Sequence, residues 1–196
     1  MATSGSVSVT VTSWDTLKFS WWEISQSISA NTTTVGWRLE LVAGSSGRID
    51  SSAAKAWAIT VNGAAYSGTN TIGVGNNATK TLASGSTVIA HNADGSKSFA
   101  FSFSQEFGIT FSGSSIGTKS GSGTGTLDTI PRATQPTLSA SSVDMGSAVT
   151  ISLPRASSSF THDLAYSFAG AAYVSIATGV GTSYSWTVPD KASSIP

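Results

Sequence analysis

Apolar residues recur at every second position along much of this chain, and the phase of each run assigns one face of a strand. Val7, Val9 and Val11 make one set, Leu17, Phe19 and Trp21 a second, and Val35, Trp37, Leu39 and Leu41 a third. Trp57, Ile59 and Val61 follow, then Phe99, Phe101 and Phe103. A period of two sends these side chains to the same side of an extended backbone, so each set predicts a strand with one buried face. Clusters of turn-forming residues separate the sets, at Asn31–Thr34, Gly44–Gly47, Asn62–Gly63, Gly75–Asn77, Ser84–Gly85 and Asp94–Gly95. Asn62–Gly63 is the sharpest, because a type I′ turn needs positive φ at both central residues and Asn-Gly adopts it at little cost. It predicts a hairpin joining Ala56–Val61 to Ala64–Ser67. Ser84–Phe103 reads as a short strand at Thr87–Ala90, a tight polar turn at Asp94–Gly95 and the phenylalanine strand, together a two-stranded unit with one buried face. Only Ser51–Ala56 reads as helix, and for a turn or two at most.

Ser112–Gly125 has the composition of a flexible linker. Its last part, Gly121–Leu127, reads equally as a thin strand closing the first domain, where small residues let a neighbouring layer approach closely. Thr129–Pro136 is the predicted seam, since Pro131 and Pro136 fix φ and withhold donors in a short, stiff, extended connection. The pattern then restarts with short strands at Thr137–Ser141, Ala148–Leu153, Leu164–Phe168 and Tyr184–Val188. The expected organisation is all-β: an antiparallel, jelly-roll-like β-sandwich over 1–130, a seam at 131–136, and an immunoglobulin-like sandwich over 137–196. An immunoglobulin-like domain needs about 100 residues, so the second sandwich is expected to be incomplete at its C-terminal end.

Composition narrows the function classes. The chain has 196 residues, 39% of them apolar and six of them Trp, too much aromatic content for a disordered chain. Charged residues make up 10%, with formal net charge zero, which gives nothing to attract nucleic acid or anionic membranes. There is no Cys, so the core alone must hold the fold. The N-terminal residues have neither the basic region nor the apolar run of a secretory signal, and no window approaches the roughly 18 apolar residues of a membrane helix. The expectation is a protein made in a cytoplasm that leaves it by lysis or as part of a larger particle.

Candidate chemistry is thin. Gly113–Gly117 fits the G-x-S-x-G pattern around Ser115, with Asp144 and His162 following in hydrolase order, but no helix follows to form a nucleophile elbow. His91, Asn92, Asp94 and Ser96 crowd one turn, yet a calcium or zinc site needs more ligands of the right type. Turn-stabilising hydrogen bonds explain them better, which makes Asn62, Gly63, Asp94 and Gly95 structural turn residues. The glutamates are Glu23, Glu40 and Glu106, too few and unpaired for the two-carboxylate chemistry of sugar hydrolysis. No catalytic residue, metal ligand or cofactor is predicted. Trp21, Trp37 and Trp57 are in phase with aliphatic residues and belong to the core. Trp22 shares a face with Lys18 and Ser20, which makes it a candidate saccharide platform or subunit contact, as are Trp14 and Tyr66.

Several separated segments in fixed order resemble one protein family: Asn31–Val35, Lys55–Gly63, Ser84–Lys97 and Leu127–Ala133, then Ser142–Ser147, Ser159–Tyr166 and Tyr184–Pro189. They are similar to minor structural proteins of tailed bacteriophages and prophages of Gram-positive bacteria. The resemblance implies a modular all-β virion component of tail, neck or fibre with a part in host attachment, and it brings no catalytic or binding residues. Its implied partners are other virion proteins, further copies of itself and a host cell-wall polysaccharide, with no nucleic acid and no membrane. A carbohydrate-binding module of an adhesin or lysin is the alternative.

Overall fold

The computed structural model describes residues 3–132, 135–155, 158 and 160–190. The chain divides into two compact units, Met1–Ile130 and Pro131–Pro196. The first holds β1 (Ser4–Thr10), β2 (Asp15–Ser27), β3 (Thr32–Ala43), β4 (Ala54–Val61), β5 (Ala64–Thr71), β6 (Thr79–Ala90), β7 (Ser98–Phe111) and β8 (Ser114–Thr126). The second holds β9 (Thr137–Leu138), β10 (Ala148–Ser152), β11 (His162–Tyr166), β12 (Val174–Val180) and β13 (Ser183–Thr187). The protein is all-β.

In the first unit two antiparallel sheets, ordered β1-β2-β3-β6 and β5-β4-β7-β8, enclose one core. The alternating sets seen in the sequence supply it. Leu17, Phe19 and Trp21 of β2 and Val35, Trp37, Leu39 and Leu41 of β3 are buried, and so are Phe99, Phe101 and Phe103 of β7. Phe19 stacks on Phe101 and Phe103 at 4.8 and 5.4 Å between ring centroids, and Trp21 meets Phe99 edge-on at 5.1 Å. Those contacts join the two sheets. A jelly roll pairs its first and last strands; here β1 and β8 lie in opposite sheets and pack face to face instead.

A second regularity sets how closely the strands fit. Seven large aromatic side chains each lie over a glycine directly opposite on the neighbouring strand. The pairs are Trp21 with Gly5, Trp22 with Gly36, Trp37 with Gly85, Trp57 with Gly68, and Phe99, Phe101 and Phe103 with Gly125, Gly123 and Gly121. A Cβ at any of these glycines would fall between 2.5 and 2.9 Å from the ring. Each ring occupies the space a side chain would have taken and covers the bare backbone, which offsets part of the entropic cost of glycine in a strand. Gly121 and Gly123 also receive Val9 and Val7 of β1, so the Gly/Ser run is a closing strand that admits the facing layer.

The Asn62–Gly63 turn has the expected left-handed pair, φ 49° and 82°, and Val61 faces Ala64 across it. Two other expectations are corrected. Ser84–Phe103 is not a two-stranded unit, because β6 pairs with β3 and β7 pairs with β4, in different sheets. The polar turn between them carries the chain across the sandwich. Ser51–Ala56 forms no helix; β4 already begins at Ala54, drawn into the sheet by β5.

The second unit has sheets ordered β13-β10-β9 and β11-β12. Val149, Ile151 and Leu153 are its buried apolar side chains among the described residues, and Tyr166 packs on Trp186 at 5.2 Å. Ala133 and Thr134 of the expected seam, and residues 191–196 at the expected incomplete end, lie outside the described residues.

Candidate functional site

The outward face of the β1-β2-β3-β6 sheet holds the aromatic candidate. Its register sets out rows of facing residues: Ser4, Trp22, Gly36 and Ser86 in one, Ser6, Ser20, Arg38 and Ser84 in the next, then Ser8, Lys18, Glu40 and Thr81. Trp22 is half-buried because its indole lies flat over Gly36. Arg38 sits above the same ring, its guanidinium carbon 5.6 Å from the ring centroid, and pairs with Glu40 at 3.4 Å. At the other side of Trp22, Ile24 keeps the outward phase of Trp22 and is the extra residue of a bulge in β2 between Glu23 and Ser25. Ile24 is 54% exposed, and Val88, facing Thr34 on β6, is 65% exposed. Trp22, Ile24 and Val88 thus place three apolar side chains on this hydroxyl-rich face, with Thr34 of β3 between β2 and Val88.

The structure does not bring the three candidate aromatics together. Trp14, half exposed, lies in the β1–β2 connection, and Asp15 and Trp22 are separated along β2 by roughly 23 Å at the usual strand rise. Its carbonyl accepts the Gly44 N–H at 2.7 Å, which fixes that loop. Tyr66 points inward: its ring packs 4.9 Å from Trp37, and its hydroxyl donates to the Ser86 carbonyl at 3.2 Å and lies 2.9 Å from Thr87 Oγ1. That places it between the sheets, as a stitch from β5 to β6.

The polar residues of the crossover turn are engaged in holding it. Asp94 Oδ1 accepts from the Ser96 N–H at 2.9 Å and the Ser96 hydroxyl at 2.7 Å, and these bonds hold its carboxyl below the usual aspartate range. Gly95 has φ 83°. His91 is buried, with Nδ1 at 2.7 Å from the Gly95 carbonyl and Nε2 at 2.7 Å from Thr33 Oγ1. A carbonyl only accepts, so Nδ1 carries the proton of that bond. The same Gly95 carbonyl takes the Ile130 N–H at 2.9 Å, tying the end of the unit to the turn.

Glu23 is a residue whose role was missed. It is buried, and Oε1 accepts the Asp128 N–H at 2.6 Å while Gln26 Nε2 donates to the Asp128 carbonyl at 2.8 Å. The Thr3 hydroxyl donates to Asp128 Oδ1. Its phase carried the signal: Glu23 continues the inward series Leu17, Phe19, Trp21, and His91 continues from Ile89 in the same way. Gln105, fully buried in phase with Phe103, bonds the carbonyls of Ala56 and Glu106 and accepts from Asn70 Nδ2.

Ser115 pairs with Thr110 just after the tight β7–β8 turn at Ser112–Gly113, so its pentapeptide lies on a hairpin rather than a strand-to-helix elbow. Asp144 and His162 belong to the second unit. Among the described residues no three His, Cys, Asp or Glu side chains are grouped to hold a metal ion. No helix is long and apolar enough to cross a membrane among those residues.

Fold and site together define an all-β sandwich protein whose outward faces are Ser/Thr-rich and whose buried polar groups bind its own loops. A family model described as siphovirus protein of unknown function (DUF859) matches residues 16–196. The chain belongs to that family, which makes it a bacteriophage protein and supports a structural, virion-associated role. No curated protein and no solved structure matches it.

Proposed function

We propose that this chain is a non-enzymatic structural component of a siphovirus particle, in the tail, neck or a fibre, and that it contributes to attachment at the host cell surface. It is assembled in the bacterial cytoplasm with other virion proteins and exposed after lysis. We read the second unit as an immunoglobulin-like module of the same component. The observation that carries the reading is the surface around Trp22: the apolar side chains of Trp22, Ile24 and Val88 share one hydroxyl-rich sheet face, with Arg38 over the Trp22 ring. Exposed apolar groups gathered on one face are a feature of interaction surfaces. The buried carboxylate Glu23 and the imidazole of His91 are committed to the fold, which supports a scaffold over a catalyst.

The test is to locate the protein in purified particles with antibody-labelled electron microscopy and to measure adsorption of phage carrying Trp22→Ala with Val88→Ser. Labelled particles and slowed adsorption by the variant are expected. Absence of the protein from the particle overturns the structural reading, and unchanged adsorption overturns the attachment role of this face.

One observation favours a second reading, a carbohydrate-binding module for cell-wall polysaccharide: a half-buried indole beside a guanidinium and hydroxyl groups suits a sugar ring. Arg38 already sits over that indole, which counts against it. Titration with purified cell walls separates the two, since a saccharide site loses binding in Trp22→Ala and a protein contact does not.

A further inference from the structure

The two long sides of the first sandwich are finished differently. On the β5/β6 side, side chains cross between the sheets and cap backbone groups. Tyr66 Oη donates to the Ser86 carbonyl, Asn70 Nδ2 donates to the Leu82 carbonyl at 2.9 Å, and Lys80 Nζ donates to Thr71 Oγ1 at 2.8 Å. On the β1/β8 side, Val7 and Val9 of β1 pack on Gly123 and Gly121 and Trp21 on Gly125, while the hydrogen bonds of Thr3, Glu23 and Gln26 go to Asp128, beyond the end of β8, and leave its edge untouched. β8 is the terminal strand of its sheet, 13 residues long. Among the described residues, the one side-chain hydrogen bond to it joins Ser98 Oγ and Thr126 Oγ1, on the side of β7.

An unpaired edge is a row of free N–H and C=O groups, and proteins that keep edges single shorten them, kink them or charge them. β8 has none of these features over most of its length. It contains no Pro and one charged residue, Lys119. It pairs with β7 without interruption from Thr118 to Thr126, and the only register shift lies beyond Thr118, where β7 bulges between Glu106 and Ile109.

We infer that the free edge of β8 is an assembly surface, where β8 of a second copy adds antiparallel about a two-fold axis and joins two four-stranded sheets into one. The strand selects its own copy by symmetry. Ser122 is the midpoint of the uninterrupted segment, and an axis through it sets Thr118 opposite Thr126, Ser120 opposite Thr124 and Gly121 opposite Gly123. Lys119 then faces Gly125 and never another Lys119. The outward rows become Ser and Thr pairs, which hydrogen-bond across strands. A two-fold, self-complementary contact of this kind closes after two copies. The inference concerns this edge and is independent of where in the particle the chain sits.

The chain has no cysteine, which makes a direct test available. Ser122→Cys places two thiols on the axis with Cα atoms about 4.5–5.5 Å apart, inside the span a disulfide bridges. The full chain carrying this change is expected to cross-link rapidly under mild oxidation, while Thr69→Cys, also exposed but on β5 at the opposite side of the sandwich and away from the axis, is not. Sedimentation of the unmodified chain at micromolar concentration is expected to give twice the 19.9 kDa monomer mass, and Ser122→Lys, which sets two ammonium groups against each other, is expected to return it to 19.9 kDa with an unchanged circular dichroism spectrum. A monomeric unmodified chain overturns the inference. So does a dimer that survives Ser122→Lys, or a Ser122→Cys variant whose thiols oxidise no faster than those of Thr69→Cys.

Discussion

The two units are made of the same Ser/Thr/Gly-rich, alternating strands, yet they bury themselves to very different degrees. In the first, each sheet's apolar face meets another, and Leu17, Phe19, Leu39, Leu41 and Phe107 are wholly buried. In the second, Val149, Ile151 and Leu153 are buried among the described residues, while Leu138, Met145, Phe168, Tyr173 and Val174 are exposed. Alternation is enough to make strands in both. A core also needs a facing layer at the right distance, and in the first unit the aromatic–glycine pairs and the close approach of β1 to β8 provide it. Low local burial is a physical mark of lower stability, so the second unit is expected to open at lower denaturant than the first.

The largest effect that can break this comparison is loss of the ring that joins the sheets. Phe19→Ala removes a side chain stacked on both Phe101 and Phe103 and is expected to cost about 3–5 kcal/mol, read as a drop in the urea midpoint of the more stable transition. Leu153→Ala is expected to lower only the weaker transition; a fall in the stronger one would show that the units do not hold separate cores. Next is Gly123→Val, whose Cβ would sit 2.7 Å from Phe101, with an overpacking cost of about 1–3 kcal/mol. The same substitution at Gly117, which has open space around it, should be far milder. If both cost the same, the aromatic–glycine pairing is not what spaces these strands.

Glu23→Ala leaves the Asp128 N–H without its acceptor and is expected to cost about 1–3 kcal/mol by chemical denaturation, with Glu23→Gln milder because an amide oxygen can still accept. The smallest effect is at the exposed turn. Asp94 has a lowered pKa when folded because Ser96 hydrogen-bonds its ionised form. Its contribution is therefore fully present above the ordinary aspartate pKa and is lost as pH falls through the lowered folded-state value. Asp94→Ala should therefore lower stability slightly at neutral pH and leave it unchanged in acid below the folded-state value, seen as a flatter midpoint-against-pH curve.

Asn62–Gly63 and Asp94–Gly95 carry similar turn chemistry, and only the first was read correctly as a link between paired strands. Asn62 and Gly63 are the entire connection between β4 and β5, so local φ decides the outcome. Residues 91–97 connect β6 to β7, and that length leaves the choice of partner to β3 and β4, which compete for the two strands. Glu23 and His91 are legible by phase, yet in the sequence they read only as an unpaired carboxylate and a turn residue. Buried, they bond backbone groups at Asp128 and Gly95, which the chain brings to them from other segments. The Trp22 face was half visible: the outward phase of Trp22 and Ile24 is in the sequence, but Val88 shares that face only through a third strand.

The sequence by itself determined that this chain is all-β, where most of the first sandwich's strands lie, which residues face inward and where its tightest hairpin turns, because period and turn chemistry act over a few residues. Which strands share a sheet, which glycine lies under which ring, and which strands end each sheet were set by the tertiary structure alone. Those depend on contacts between residues far apart in the chain, where many registers satisfy the same alternation and packing selects one.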